Sequence, residues 1–182
     1  MNRIEPMLAE LAPEPFDSPR HIFEPKLDGV RCLAYVEAGK VVLRARSGND
    51  ITEKFPELHG LPGLVRASQA VLDGEIVCHN DKGIPDFNHI QNRIGKRGLA
   101  VEVARKQFPA RYEVFDILQV LDMDLTTRGR GLTLMERKAV LMEVLPGVHP
   151  VQRVLWVDQE GKKAFETMRD LGLEGVMAKE VD

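Results

Sequence analysis

The sequence predicts one α+β domain built on antiparallel hairpins. Three observations support this class. At 182 residues the chain is long enough for one substantial core. Strand-like segments with a two-residue period meet at short turns, and helical segments carry their own capping signals. Neither an internal repeat nor a low-complexity linker divides the chain, so one domain over residues 1–182 accounts for the whole sequence.

The first hairpin follows a Pro-rich segment, residues 1–20, which we expect to wrap the surface. The stretch GVRCLAYVE then alternates two faces, EAGK forms a turn, and VVLRARS returns as a second strand. One face of the first strand presents Val30, Cys32, Ala34 and Val36, and the other presents Arg31, Leu33 and Tyr35.

The middle of the chain predicts a third strand and a capped helix. ITEKFPEL favours a short helix near Pro56, and AVLDGEIVC, residues 70–78, is a strand interrupted by Gly74. In DFNHIQNRI the apolar residues recur at helical spacing, and Asp86 is the expected N-cap.

The last third of the chain alternates strands and helices. RYEVFDIL, residues 111–118, predicts a strand, and DLTTRGRG is a polar loop. TLMERKAVLMEVL predicts an amphipathic helix with a capping box formed by Thr133 and Glu136. VQRVLWV predicts a strand, EGKKAFETMRDLG a helix closed by Gly172, and EGVMAKEVD a final strand that looks unfinished.

Composition excludes several classes of function. Apolar residues make up 43% and charged residues 29%, with a net charge of −3, so the chain lacks the basic surplus of a protein that holds nucleic acid alone. Cys32 and Cys78 have no CxxC spacing, and the five histidines form no HxH or HExxH pattern, which argues against a zinc site. With no run of about 18 apolar residues, we expect an intracellular protein with no membrane partner.

Lys26 is the first candidate for chemistry, in the stretch FEPKLDGVR. An amine with a reference pKa of about 10.4 becomes a nucleophile when a pocket desolvates it or a cation lies nearby. Arg31 could supply that cation, Asp28 could orient the amine, and Gly29 would allow close backbone approach. Taken alone, these residues are more typical of a surface turn with an exposed lysine.

Three further motifs carry acids or an aromatic ring. In LDGE, Asp73 and Glu75 flank a glycine within an apolar strand, where a ribose hydroxyl or a metal ion would be a suitable partner. The alternative is a bulge with two surface acids. Phe115 could stack on a base, although a lone Phe in a strand more often belongs to the core. Glu174 stands beside a glycine and precedes apolar residues and a lysine.

The ordered set K-x-D-G-x-R, R-S-G, D-G-E, F-D and E-G-V-M-x-K is far more specific than its parts. With it the chain resembles the adenylation domain of ATP-dependent DNA ligases, in their small bacterial and archaeal form. The resemblance covers nearly all 182 residues, including PMLAE and GIPDFNHIQNR. It implies two antiparallel β-sheets flanked by helices, with the nucleotide held between the sheets.

The resemblance also implies roles for single residues. Lys26 would take AMP from ATP as a phosphoramidate, and Glu24 with the backbone of its neighbour would read the amino edge of adenine. Phe115 would stack on one face of the base, with Met177 or Val176 on the other. The ATP-binding residues that the resemblance implies are Glu24, Pro25, Lys26, Leu27, Arg31, Arg46, Glu75, Phe115, Val176, Met177 and Lys179.

Among these, the resemblance implies that Arg31 and Arg46 contact phosphate, either of the nucleotide or of the nick, and that Glu75 holds the ribose. Magnesium or manganese would be placed by Glu174, with Asp28 or Asp73. AMP would then pass to the 5′-phosphate of nicked duplex DNA, and the 3′-hydroxyl would displace it. Such a cytoplasmic enzyme would serve DNA repair, recombination and replication.

The chain departs from that family at its end. The family continues into a strand with a lysine pair and an OB-fold domain, and neither is present before Asp182. We therefore expect a domain without its final strands, which seals nicks weakly or not at all unless an OB-fold domain or a separate chain completes it. An RNA ligase, a capping guanylyltransferase and a non-catalytic remnant that binds nucleotide or a partner remain alternatives. Glu24 and GIPDFNHIQNR favour the DNA ligase.

Overall fold

The computed structural model describes residue 4 and residues 6–126 and 130–182. In this part of the chain the strands are β1 (His21–Pro25), β2 (Val30–Glu37), β3 (Lys40–Ala45), β4 (Gln69–Cys78), β5 (Ala110–Val120), β6 (Met123–Asp124), β7 (Val151–Arg153), β8 (Val157–Asp158) and β9 (Val176–Glu180). The α-helices are α1 (Phe87–Ile94), α2 (Leu99–Gln107), α3 (Leu134–Val144) and α4 (Gly161–Asp170).

The strands form two sheets, which confirms the expected α+β class. The larger sheet has the order β3-β2-β4-β5-β6, with β7 also on β5, and the smaller sheet has the order β8-β1-β9. Neighbouring strands are antiparallel in both sheets except that β7 runs parallel to β5. The predicted hairpin is β2–β3, in which Cys32 pairs with Ala45.

The period-two pattern of β2 sorts its side chains as predicted. Cys32 and Ala34 point into the main core, where they lie with residues such as Phe55. Leu33 and Tyr35 belong to a second buried cluster on the opposite face. The sheet is therefore covered on both sides, and polar residues on its second face are enclosed rather than solvated.

Helix α4 packs closely on the smaller sheet. A Cβ atom at Gly161 would lie 2.1 Å from the Phe16 carbonyl oxygen and 2.3 Å from a ring atom of Phe23. Only glycine permits this approach. The helix covers the Phe23 face of β1, which leaves the opposite face of that strand turned toward the larger sheet.

The capping predictions are confirmed for two helices. Asp86 caps α1 by accepting from the backbone N–H groups of Asn88 and His89. Thr133 and Glu136 form the reciprocal capping box at the start of α3. Both helices therefore begin where the sequence places them.

One local prediction is wrong, and one helix was not predicted. VQRVLWV is not one strand, because the chain leaves β7 in the larger sheet and joins β8 in the smaller one. The short helix predicted near Pro56 is present as the 3-10 helix Pro56–Leu58, preceded by a second 3-10 helix, Thr52–Lys54. Helix α2 is absent from the prediction because its N-cap, Gly98, offers no side-chain acceptor.

The N-terminal segment and one loop are described in part. Residues 6–20 form neither helix nor strand, and Phe16 contacts Phe23 edge to face with ring centroids 5.6 Å apart. In the predicted loop DLTTRGRG, residues 127–129 lie outside the described residues. Among the helices of the described residues, none has the length and apolarity that a bilayer crossing requires.

Candidate active site

Lys26 is fixed at the end of β1, where the two sheets approach each other. Its backbone N–H donates to the Gly175 carbonyl oxygen at 2.9 Å, which ties the loop to the start of β9. Its ammonium forms an ion pair with the Glu174 carboxylate. The Lys26 side chain is 41% exposed, so the amine lies at the mouth of the site and not in its interior.

Asp28 joins this pair from the same loop. Its pKa is raised, first by burial and then by the Glu174 carboxylate, while the Lys26 ammonium opposes the shift. Two predicted metal ligands therefore lie close to each other and to the predicted nucleophile. A divalent cation at this place would relieve the repulsion between the two carboxylates.

Glu24 lies deeper, on the face of β1 that is turned toward the larger sheet. The residue is 2% exposed, and each of its carboxylate oxygens has a cationic partner. Lys138 donates to Oε1, and the Lys179 ammonium lies 2.5 Å from Oε2. Burial lowers the pKa of Lys179, and the Glu24 carboxylate opposes that shift.

The strand register in the smaller sheet shows that Met177 and Val176, the two candidates for contact with the second face of the base, point to opposite faces of the sheet. Met177 pairs with Glu24, and Val176 pairs with Pro25. Because side chains directly opposite in a ladder point to the same face, Met177 shares the face of Glu24. Val176 points to the other face, where α4 packs. Of the two, Met177 is the one turned toward the larger sheet.

Phe115 is placed by a bulge in β5. Asp73 pairs with Asp116 and Gly74 with Val114, which leaves Phe115 as the extra residue. A β-bulge re-aims the side chain it carries. A Cβ atom at Gly74 would lie 2.5 Å from the Glu113 carbonyl oxygen, so the glycine of D-G-E is what lets the strands approach at the bulge.

Two cations contact the Phe115 ring, Arg31 from the larger sheet and Lys179 from the smaller sheet. The Arg31 guanidinium carbon lies 4.7 Å from the ring centroid, and the Lys179 ammonium lies 3.9 Å from it. Both distances are within the range of cation–π attraction. The ring predicted to stack on a base is therefore in contact with two of the predicted ATP-binding residues.

Arg31 is held by Asp73 through two parallel hydrogen bonds. Nε donates to Oδ1 at 2.6 Å and Nη2 to Oδ2 at 2.7 Å. Burial raises the pKa of Asp73, and the Arg31 guanidinium opposes the shift. Because both oxygens of Asp73 accept from Arg31, the structure does not bring this acid together with Asp28 and Glu174.

Glu75 faces the same side of the larger sheet and pairs with Arg31 across β2 and β4. Its pKa is raised to about 8, mainly by burial; the Arg31 guanidinium opposes this shift, and the carboxylates of Asp73 and Asp28 add to it. A carboxyl group with this pKa is largely protonated at neutral pH and can donate as well as accept a hydrogen bond.

The remaining predicted residues lie at the edges of the site. Leu27 is half-buried in the loop after β1. Arg46 follows the end of β3 and is exposed, beside a groove of about 200 Å³ that is also lined by Tyr35 and Gly48. Since Ala45 pairs with Cys32, Arg46 lies at the same end of the sheet as Arg31.

Lys138 is a site residue that the sequence reasoning missed. It projects from α3, is 2% exposed, and donates to the Phe115 carbonyl oxygen at 3.1 Å in addition to Glu24. Its ammonium lies 4.6 Å from the Trp156 ring. The signal was present, because Leu134, Lys138 and Leu141 follow helical spacing on the buried face of α3.

Asp116, the acid of the F-D motif, anchors the same helix. Arg137 donates to both of its carboxylate oxygens at 2.9 and 2.8 Å. This bidentate pair anchors α3 on β5.

The two sheets meet beside a strand-end lysine, and acids, an aromatic ring and cations of the ordered motifs surround it, with Arg46 at the edge. This arrangement defines a nucleotidyltransferase domain. The chain belongs to the ATP dependent DNA ligase domain family, whose model matches residues 6–182. The resemblance predicted from the motifs is thereby confirmed.

Relatives and solved structures agree with this family. The chain is 35% identical over 162 residues to the multifunctional non-homologous end joining DNA repair protein LigD of Mycobacterium tuberculosis, covering 88% of this chain and 19% of that protein. It is 31% identical over 189 residues to DNA ligase C of the same species, covering 98% and 50%. These curated relatives are thus at least about twice as long as the part that the chain spans.

A solved structure of mycobacterial DNA ligase D complexed with ATP and MES superimposes with a TM-score of 0.72 at 28% identity. The match covers 92% of this chain and 50% of that one. The two-sheet architecture predicted from the motifs is therefore that of a solved ligase.

Proposed function

We propose that this domain transfers AMP from ATP to Lys26 and then to the 5′-phosphate of nicked duplex DNA. The observation that carries the proposal is the position of Lys26 between two groups of residues. The buried carboxylate of Glu24 and the ring of Phe115 lie on its inner side, and the Glu174 and Asp28 carboxylates lie beside it. A base on the inner side and a triphosphate on the outer side would bring the α-phosphate to the amine.

In the first step the Lys26 amine attacks the α-phosphorus. A P–N bond forms, the P–O bond to pyrophosphate breaks, and the amine loses a proton. Lys26 must be neutral to attack, so it must leave its ion pair with Glu174. Because the Lys26 side chain is 41% exposed, that proton can pass to water once the Glu174 carboxylate releases the ammonium to hold the metal ion.

The adenine is proposed to lie between Phe115 and Met177, with its amino group donating to Glu24. Lys179 forms an ion pair with Glu24 Oε2 and covers Phe115, so it must move as the base enters. Its ammonium is then free to contact a phosphate, as Arg31 and Arg46 are proposed to do. Glu75 can both donate to and accept from ribose hydroxyl groups.

The proposed Mg²⁺ or Mn²⁺ would be held by Asp28 and Glu174 together with the phosphates of ATP. In the described residues, no group of three or more His, Cys, Asp or Glu side chains could hold a metal ion by itself. Mg²⁺ normally takes only one or two carboxylates and completes its shell with water and substrate phosphates, so the pair fits. The ion would neutralise charge on the departing pyrophosphate. Asp73 is a weaker candidate because Arg31 occupies it.

The acceptor and the remaining machinery are proposals that rest on the family. The relatives carry the names of DNA ligases and of an end-joining DNA repair protein, which supports nicked duplex DNA as the acceptor and DNA repair as the setting. We propose that an OB-fold domain, in the same polypeptide or in a separate chain, grips the duplex opposite this domain. We place the reaction in the cytoplasm, where ATP and bacterial DNA are found.

A nicked duplex labelled at its 5′-phosphate tests the proposal. Incubation with the chain, ATP and magnesium should give the AMP-capped strand, and Lys26→Ala should abolish it. A nick flanked by ribonucleotides separates an RNA ligase from a DNA ligase, and GTP in place of ATP separates a capping enzyme. Failure to cap the 5′-phosphate of any nick, also after addition of a separate chain that bears the OB-fold domain, would contradict the proposed second step.

A domain that binds nucleotide without turnover is the second candidate. It is favoured by the contacts of two lysines, since Lys26 is paired with Glu174 and Lys179 covers Phe115. Stoichiometric ATP binding without any covalent AMP in the presence of magnesium would support this candidate over the ligase.

A further inference from the structure

We propose that Lys138 is a positioning residue that fixes Glu24 and thereby determines the preference for adenine over guanine. The inference rests on the proposed function, since it takes the base to lie between Glu24 and Phe115. Nothing in the motif set includes Lys138, and its role follows from the contacts of its side chain.

Lys138 is the link between the two sheets at the inner end of the site. It enters from α3, and its ammonium reaches Glu24 of the smaller sheet and the Phe115 carbonyl oxygen of the larger one. Both Lys138 and Glu24 are 2% exposed at the side chain. The third neighbour is the Trp156 ring, 4.6 Å from the ammonium.

Such a buried pair is poor evidence for a purely stabilising role. Desolvation of two charges offsets most of their attraction, and well-packed apolar residues often stabilise a fold as well or better. The helix α3 already has a bidentate anchor on the same strand, formed by Arg137 and Asp116. The geometry instead indicates that Lys138 positions the two groups it contacts, the Glu24 carboxylate and the Phe115 carbonyl oxygen.

Lys138 leaves one oxygen of Glu24 for other partners. Because it binds Oε1, the carboxylate cannot rotate freely, and Oε2 is the oxygen that Lys179 contacts above the Phe115 ring. When a base displaces Lys179, Oε2 faces the edge of that base. An ionised carboxylate only accepts hydrogen bonds, so it favours the 6-amino group of adenine and repels the 6-oxo group of guanine.

Lys138 also fixes the position of the Phe115 ring relative to Glu24 Oε2. Its bond to the Phe115 carbonyl oxygen is made at the bulge residue itself. One ammonium therefore holds both the acceptor and the backbone that carries the ring. Loss of Lys138 would allow the Glu24 carboxylate to rotate. It would therefore lower the preference for adenine over guanine more than it would weaken stacking on Phe115.

Lys138→Met tests the inference, because methionine keeps the length of the side chain and removes the charge. Titration calorimetry with ATP and with GTP, in EDTA so that no AMP is transferred, gives the ratio of the two dissociation constants. The wild-type chain should favour ATP, and in Lys138→Met that preference should fall about tenfold, as expected for the loss of one hydrogen bond to a charged group. Lys138→Gln keeps a donor but shortens the side chain, so it should lower the preference in the same direction if Lys138→Met does not fold.

Arg137→Met is the matched control. It removes the neighbouring cation on α3 and its buried pair with Asp116, but it does not touch Glu24. It should lower thermal stability and leave the ATP preference unchanged. A preference that stays at the wild-type value in both Lys138 variants, or that falls equally in Arg137→Met, would overturn the inference while leaving the proposed function intact. A wild-type chain that binds ATP and GTP equally would overturn the adenine site and this inference together.

Discussion

The ammonium of Lys179 lies 3.9 Å from the centroid of the Phe115 ring. The same ammonium lies 2.5 Å from Glu24 Oε2. Lys179 therefore contacts both residues that are proposed to bind adenine. Its contact with Phe115 is a cation–π contact, and its contact with Glu24 is an ion pair. Burial lowers the pKa of Lys179, which indicates that its charge is poorly solvated there. Nucleotide binding and movement of Lys179 are thus expected to be coupled.

Lys179→Met should separate the base from the phosphates. The variant no longer covers Phe115 with a charge, so adenosine, which has no phosphate, should bind more tightly by about 3-fold to 10-fold, the equivalent of a moderate cation–π contact. ATP should bind less tightly, because a phosphate loses a cation. Calorimetry with both ligands measures the two changes. Equal weakening of adenosine and ATP would contradict the coupling, and Lys163→Met, at an exposed lysine, is the control.

Phe115→Leu should weaken the binding of every nucleotide with little regard to its base. Leucine keeps apolar volume but offers no stacking face, and stacking of a base on an aromatic ring contributes about 1–3 kcal/mol. Calorimetric affinities for ATP and GTP should fall by similar factors. Phe108→Leu, at a ring that contacts His89 away from the site, should leave both affinities unchanged. A loss confined to ATP would assign base selection to Phe115 and contradict the role given to Glu24.

Asp73→Asn should destabilise the fold. The change leaves the Arg31 guanidinium without its bidentate acceptor. Breaking a fully buried pair costs about 3–5 kcal/mol, and since the Arg31 side chain is 27% exposed, we expect about 2 kcal/mol by urea unfolding. Glu102→Gln removes the partner of Arg105 in an exposed pair and should cost at most about 0.5 kcal/mol. Equal effects of the two changes would show that the Arg31 pair is no stronger than a surface pair.

Glu75 should make stability depend on pH. Its pKa rises from 4.5 to about 8 on folding, so the folded state holds more protons than the unfolded state between these values. The free energy of unfolding therefore falls as pH rises through this window. Glu75→Gln removes this loss, so its stability relative to the wild type should increase with pH up to about 8 and then level off. Urea unfolding of both chains across the window measures the difference, and a constant difference would contradict the raised pKa.

Local signals in the sequence were enough for most of the secondary structure. The alternation in β2, the Asp86 cap and the capping box at Thr133 depend on residues close in the chain, so they could be read directly. The segment VQRVLWV misled because its residues join different sheets, which depends on contacts far along the chain. Helix α2 offers no capping side chain to mark its beginning.

In the candidate site as well, the sequence identified some residues, and it missed those whose contacts depend on distant parts of the chain. The motifs identified Lys26 and Glu174, which the structure brings into an ion pair. They did not indicate that Asp73 binds Arg31, because the register between β2 and β4 determines which side chain lies next to Asp73. Lys138 was missed since a lysine in an amphipathic helix is normally assigned to the exposed face. Only the packing of α3 on β5 reveals its contact with Glu24.

The central claim is that Lys26 carries AMP. Intact-protein mass spectrometry after incubation with ATP and magnesium should show one added AMP, and peptide mapping should place it on Lys26. Lys26→Ala should show none, and neither should Lys26→Arg, because a guanidinium remains protonated and cannot attack phosphorus. Lys40→Ala, at an exposed lysine of β3, should be labelled like the wild type. An adduct that survives Lys26→Ala, or that maps to another lysine, would contradict the claim.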